Sequence, residues 1–167
     1  MVSVLHAQTG RATGQCHVPG EEPPPLTVRI VLDTNSLVAA LTQPRGSSAR
    51  ILGLWRRRRI ELVVTRETLR EAELVVGAGW LYRVASRDAV SALLDRLRRE
   101  AIIVEPARVG DLPLKDRGDR DLVAAAVGGN ARFLVTADRE VIQQRGYDDV
   151  EFVTSAEFLR RRRSSWW

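Results

Sequence analysis

Apolar positions along the chain follow two alternating periods. Val28 to Leu32 is a short, β-branched run broken only by Arg29, and it stops at Asp33. A continuous run of this length predicts a strand covered on both faces, as in a parallel sheet. Similar runs at Ile60–Val64, 101–104, 132–135 and 151–153 predict four more strands. Between them the spacing becomes helical. Helices are expected over 36–42, from Ser47 or Ser48 to Arg59, after Thr65 with Leu69, Ala72 and Val76 on one side, and from Ser86 to Arg99. Another is expected from Asp119 to Val127, ended by Gly128-Gly129-Asn130, then a short one after Asp138 and a last one capped by Thr154 or Ser155. Thr65-x-x-Thr68 is a partial capping box, with Thr in place of Glu or Gln. Strands alternating with helices call for βαβ crossovers, hence an α/β fold with a mainly parallel sheet of five strands.

The ends break this pattern. Residues 1–25 are rich in Gly, Pro, Thr and Gln and close on Glu-Glu-Pro-Pro-Pro, which reads as a disordered tail or a mis-assigned start. Residues 26–160 form the expected single domain, and 161–167 a basic, solvated end. No apolar run approaches the roughly 20 residues that span a bilayer. The single cysteine, Cys16, forms no internal disulfide, so a reducing cytoplasm is the expectation. His6 and His17, the only histidines, lie in the tail, which argues against a His/Cys zinc site.

The net charge of +5 permits a polyanionic partner. All 26 basic residues except Lys115 are arginine. Codon bias accounts for the preference, yet the guanidinium fork also suits phosphate.

Four acids fall at equivalent places. Asp33 follows the first strand, Glu71 lies a turn inside the helix after the second, Asp119 opens the helix before the fourth, and Asp138 follows the fourth. Ligands of open α/β sheets bind beyond the carboxyl ends of the strands. If strands one and four are neighbours, Asp33 and Asp138 meet there, and the helices bearing Glu71 and Asp119 lean over the same crevice. Two unit charges about 4 Å apart repel by on the order of 4 kcal/mol at an effective dielectric of about 20, so gathered carboxylates call for a cation or a proton. Oxygen donors without His or Cys select Mg²⁺ or Mn²⁺, which activate water and steady phosphoryl charge. Each acid also has a structural reading. Asp119 and Asp138 can cap helices, Glu71 can pair with Arg66, Arg70 or Arg120, and Asp116 and Asp121 can be surface acids.

Val31-Leu32-Asp33-Thr34-Asn35, Thr65-x-x-x-Leu69-x-Glu71, Asp116-x-x-Asp119-x-x-x-x-Ala124-x-Ala126 and Leu134-Val135-Thr136-x-Asp138, in that order, resemble the PIN domain family. Pro44-x-Gly46-Ser47 and Ser155-Ala156-Glu157-Phe158-Leu159 resemble its subgroup of toxins from toxin–antitoxin pairs, the VapC-type ribonucleases. The resemblance implies a three-layer α/β/α sandwich and a Mg²⁺-dependent ribonuclease. It implies that Asp33, Glu71, Asp119 and Asp138 are the catalytic, metal-holding acids, with Asn35 and Thr136 supporting them by hydrogen bonds. Asp116 and Asp121 would stand behind them. It also implies an antitoxin partner and frequent homodimers. Asp33 would be the innermost ligand, its capping role passing to Thr34 or Asn35. Arg45, Arg120 and Arg139 are the arginines expected to hold the RNA backbone.

Alternatives on the same fold are a catalytically inactive RNA- or partner-binding module and a DNA nuclease. A phospho-acceptor receiver domain needs a lysine at the end of a late strand, whereas Lys115 lies in a loop. No Gly-x-x-x-x-Gly-Lys-Ser/Thr stretch supports a P-loop nucleotide site.

Overall fold

The computed structural model describes residues 27–165. The expected readings of residues 1–25 and of Trp166-Trp167 lie outside them. Strand β1 (Val28–Leu32) leads into α1 (Thr34–Thr42) and α2 (Ser47–Arg56), then β2 (Ile60–Val64) and α3 (Arg66–Val76). A short 3₁₀ turn precedes α4 (Arg87–Glu100), β3 (Ile102–Ile103), a loop and α5 (Arg117–Gly128). The chain ends with β4 (Phe133–Val135), α6 (Arg139–Gln143), β5 (Gly146–Tyr147), β6 (Val150–Val153) and α7 (Ser155–Ser165).

The strands form one sheet in the order β3-β2-β1-β4-β6-β5, parallel except for β5. Alternate residues of each strand feed opposite cores. Ile30, Leu32, Leu62, Phe133 and Val135 pack against α1, α2, α4 and α7 on one face. Val31, Val63, Leu134 and Phe152 pack against α5, α6 and the loop before α5 on the other. This is the three-layer α/β/α sandwich. Arg29, the polar break in β1, pairs at 3.0 Å with its register partner Glu61 and donates to the Gly129 carbonyl at 3.3 Å.

Four local expectations change. The helix from Ser47 ends at Arg56, not Arg59, because Arg58 adopts φ 56° and turns the chain into β2. Ser86 precedes α4 but gives it no side-chain cap, whereas Thr65 and Thr68 complete a full capping box at the head of α3. The last helix continues beyond Arg160 to Ser165, and Arg161 within it pairs with Glu151 and Glu157. The sheet gains a sixth strand, β5, joined to β6 by a tight turn with Asp148 at φ 53°. Two residues are too few to show a period, so β5 has no sequence signature, although Asp is one of the residues that tolerates this conformation.

Ser48, next after the Pro44-x-Gly46-Ser47 motif, meets the first residue of the Ser155–Leu159 motif. The hydroxyls of Ser48 and Ser155 lie 2.9 Å apart and tie the start of α2 to the start of α7.

Candidate active site

The sheet order places β1 beside β4, with Leu32 opposite Val135. Here the chain crosses from one face of the sheet to the other, the position where α/β folds open a crevice at the strands' carboxyl ends. Asp33 and Asp138 are the residues at which the chain leaves these strands for a helix.

Asp33 is only 8% exposed. Its backbone N–H continues the ladder to the Val135 carbonyl at 3.0 Å. Its Oδ2 accepts the Thr136 hydroxyl at 2.8 Å, and its Oδ1 accepts the Asn35 N–H at 3.2 Å. Asp33 is therefore itself the N-cap of α1; Thr34 and Asn35 lie inside the helix, so the cap does not pass to them. Asn35 meets the carboxylate through its backbone, while its side chain is exposed.

Thr136, 1% exposed, also accepts the Asp138 N–H at 3.0 Å. Asp138 caps α6, its Oδ1 accepting from Glu140 at 2.7 Å and Val141 at 3.3 Å. One buried hydroxyl thus joins the two strand-end acids.

Asp119 does not cap α5. Asp116 does, accepting the Gly118 N–H at 2.6 Å, and Asp119 sits within the first turn. Its carboxylate accepts no hydrogen bond from any described residue. Desolvation first, then the negative charges of Asp138, Asp116, Asp33 and Glu140, raise its pKa from 3.8 to about 6. Those four acids lie within electrostatic reach of it. Glu140 was not expected there. Its sequence signal is its place two residues after Asp138, in the first turn of α6.

Glu71 is not among the acids acting on Asp119. It is exposed on α3 and makes no ion pair with a described residue, so neither Arg66, Arg70 nor Arg120 is its partner. Asp121 likewise takes no part in the network. Arg120, expected at the RNA backbone, is exposed and also ties down the loop: its Nε and Nη2 donate to the carbonyls of Leu114 at 2.9 Å and Leu112 at 3.1 Å. Arg45 and Arg139 are exposed, Arg139 immediately after Asp138.

Among the described residues, no three His, Cys, Asp or Glu side chains stand together as a ready-made metal-holding group. The expected four-acid cluster is therefore not closed. The donor chemistry still fits a hard divalent cation. All the donors are oxygens, and an unpartnered carboxylate is held in a negative field that a cation would relieve.

A mainly parallel three-layer sheet with acids at its switch point defines a class of α/β domains built around anionic crevices. The PIN domain family matches residues 29–140, and the chain belongs to it. Among solved structures, VapBC2 from Rickettsia felis bound to a DNA fragment from its promoter is similar over 75% of this chain and 97% of that chain, at 17% identity and TM-score 0.50. That likeness concerns the fold. PAE2754 from Pyrobaculum aerophilum is similar over 81% of this chain and 97% of that one, at 19% identity and TM-score 0.45. Among curated proteins, none matches this sequence. No helix of the described residues is long and apolar enough to cross a membrane.

Proposed function

We propose that this chain is a divalent-metal-dependent endoribonuclease, the toxin of a toxin–antitoxin pair, hydrolysing phosphodiester bonds in RNA. The observation that carries the reading is Asp119, unpartnered and raised to about 6 by burial and by Asp138, Asp116, Asp33 and Glu140. Carboxylates are held against mutual repulsion where a cation is to be bound, and perturbed acids gather at reactive sites.

Asp33, Asp119 and Asp138 would hold Mg²⁺ or Mn²⁺, with Glu71 at the margin as an accessory acid. The bound ion supplies a water of lowered pKa and balances charge developing on the phosphoryl group. The chain's own residues do the positioning. Thr136 holds the Asp33 carboxylate and the Asp138 backbone in one arrangement. Asp119 keeps a proton below about pH 6 and is charged above it. Arg45 and Arg139, both exposed, supply guanidinium groups for the RNA backbone. Family membership and the likeness to the VapBC2 fold support the nuclease class and an antitoxin partner; a homodimer in the cytoplasm accords with the same family resemblance.

The test is cleavage of matched RNA and DNA strands with Mg²⁺, with EDTA, and by Asp33→Asn with Mg²⁺. RNA cleavage confined to the first condition supports the reading. Equal cleavage in all three overturns the mechanism, and preferential DNA cleavage overturns the substrate.

A further inference from the structure

The end of the sheet opposite the acids carries a second charged surface. Arg56, Arg57, Arg58 and Arg59 follow one another out of α2, and all are exposed. The fold brings the basic end of α4 to them. A groove of about 430 Å³ is lined by Trp55, Arg58, Ile60, Glu61, Arg99 and Ile102. A neighbouring groove of about 600 Å³ is lined in part by Trp55, Arg56, Arg96 and Arg99. Trp55 and Arg99 belong to both, so Arg56, Arg58 and the end of α4 form one continuous surface, with exposed Arg57 between the two in the chain.

Asp95 also lines the larger groove, and the two other acids of this surface are matched. Glu61 pairs with Arg29 at 3.0 Å and Glu100 with Arg96 at 2.6 Å. Arg56, Arg57, Arg58 and Arg99 have no ion pair or side-chain hydrogen bond among the described residues. Two helices end here, α2 at Arg56 and α4 at Glu100. Each helix end offers only about half a negative charge, screened within a turn, which leaves most of the arginine charge unmatched. Ile60 and Ile102 begin parallel strands, so the patch sits at the strands' amino ends. The acids lie beyond the other end of the five-residue β1, roughly 16 Å away at about 3.3 Å per residue.

We propose that Arg57, Arg58 and Arg99, with Arg56, form a second RNA contact that grips the phosphodiester backbone remote from the cleavage crevice. The name of the polyanion rests on the nuclease reading, while the binding itself does not require cleavage. Trp55, the one aromatic ring lining both grooves, is 4% exposed and offers no stacking platform. Recognition here is therefore of charge and shape rather than base, and it weakens steeply with salt.

The test is titration of a fluorescent RNA hairpin with the full chain in EDTA, at several salt concentrations, where no metal-dependent cleavage interferes. Arg57→Gln/Arg58→Gln/Arg99→Gln is compared with Arg83→Gln/Arg108→Gln/Arg145→Gln, which removes equal charge from exposed arginines elsewhere. The first variant is expected to bind at least about tenfold more weakly than the parent and to lower the slope of log K against log salt by about 2 to 3. The second should change affinity by less than about threefold. Arg57→Lys/Arg58→Lys/Arg99→Lys should retain most binding and shows that folding is not the cause. Equal losses in both Gln variants, or undiminished binding by the first, overturn the proposal. Patch-dependent binding without cleavage in Mg²⁺ would sink the nuclease reading alone.

Discussion

Thr136 donates its hydroxyl to Asp33 at 2.8 Å, and the same oxygen accepts the Asp138 N–H at 3.0 Å. A single buried side chain thereby couples the ends of β1 and β4, and the relative placement of two candidate ligand acids depends on it.

Thr136→Val keeps the shape of the side chain and removes both bonds. The Asp138 N–H and Asp33 Oδ2 then lose their partners at a site 1% exposed. The expected loss is about 1–3 kcal/mol in urea unfolding, the usual penalty for unsatisfied buried polar groups. Thr136→Ser restores the hydroxyl and should recover most of it. Equal stability of the Val and Ser variants would contradict the coupling.

Asp119 makes stability depend on pH in a definite direction. Its folded pKa of about 6 lies above the ordinary 3.8, so the folded state binds the extra proton between those values. Metal-free stability is therefore greatest below about pH 3.8 as far as this group is concerned and falls as pH rises through about 6. Asp119→Asn abolishes that contribution. Melting temperatures in EDTA from pH 4.5 to 7.5 should show the variant gaining on the parent as pH rises. The same linkage predicts tighter Mn²⁺ binding at pH 7 than at pH 5, because the proton and the cation compete for one carboxylate.

The acids are not equivalent. Asp33 is buried and doubly hydrogen-bonded, whereas Glu71 is exposed and outside the field that acts on Asp119. Asp33→Asn is expected to slow RNA cleavage by at least about a hundredfold, the scale on which losing one preorganised electrostatic contact slows an enzyme. The cap bond to the Asn35 N–H survives in this variant, while the Thr136 hydroxyl loses its carboxylate acceptor, so a stability loss of about 1–3 kcal/mol at most is expected. Glu71→Gln should cost about tenfold, the low end of the range for groups that stand behind metal ligands. Steady-state cleavage and thermal melts of both variants check this ordering.

Arg120 binds loop carbonyls, so its loss should act on the loop rather than on RNA affinity. Arg120→Leu releases the carbonyls of Leu112 and Leu114. Limited proteolysis is expected to nick the 105–116 segment faster, and the salt slope of RNA binding should stay unchanged. A slope reduced by about one unit would return Arg120 to the phosphate contacts.

Where local pattern sets structure, the sequence was readable. The apolar runs of β1, β2 and β4 needed only their own residues to announce buried strands, and the stripe Val90, Leu93, Leu97 announced α4. Asp33 and Asp138 stood out because each ends such a run. Asp116 and Asp119 were harder to tell apart. Either can open α5, and only the Gly118 N–H meeting Asp116 decides which of them caps it. Glu140 was missed because its contribution is a field at Asp119, which no local pattern records.

By itself the sequence determined the alternation of strand and helix, the parallel sheet and the acids that end its strands, since hydrophobic period and capping chemistry act over a few residues. Tertiary structure decided the rest. It placed β1 beside β4, joined Asp33 to Asp138 through Thr136, left Glu71 exposed, tied Arg120 to loop carbonyls, and brought Arg56 and Arg58 to the end of α4. Those outcomes depend on distances between residues far apart in the chain. Coulomb and hydrogen-bond energies change steeply over a few ångströms that sequence spacing does not specify.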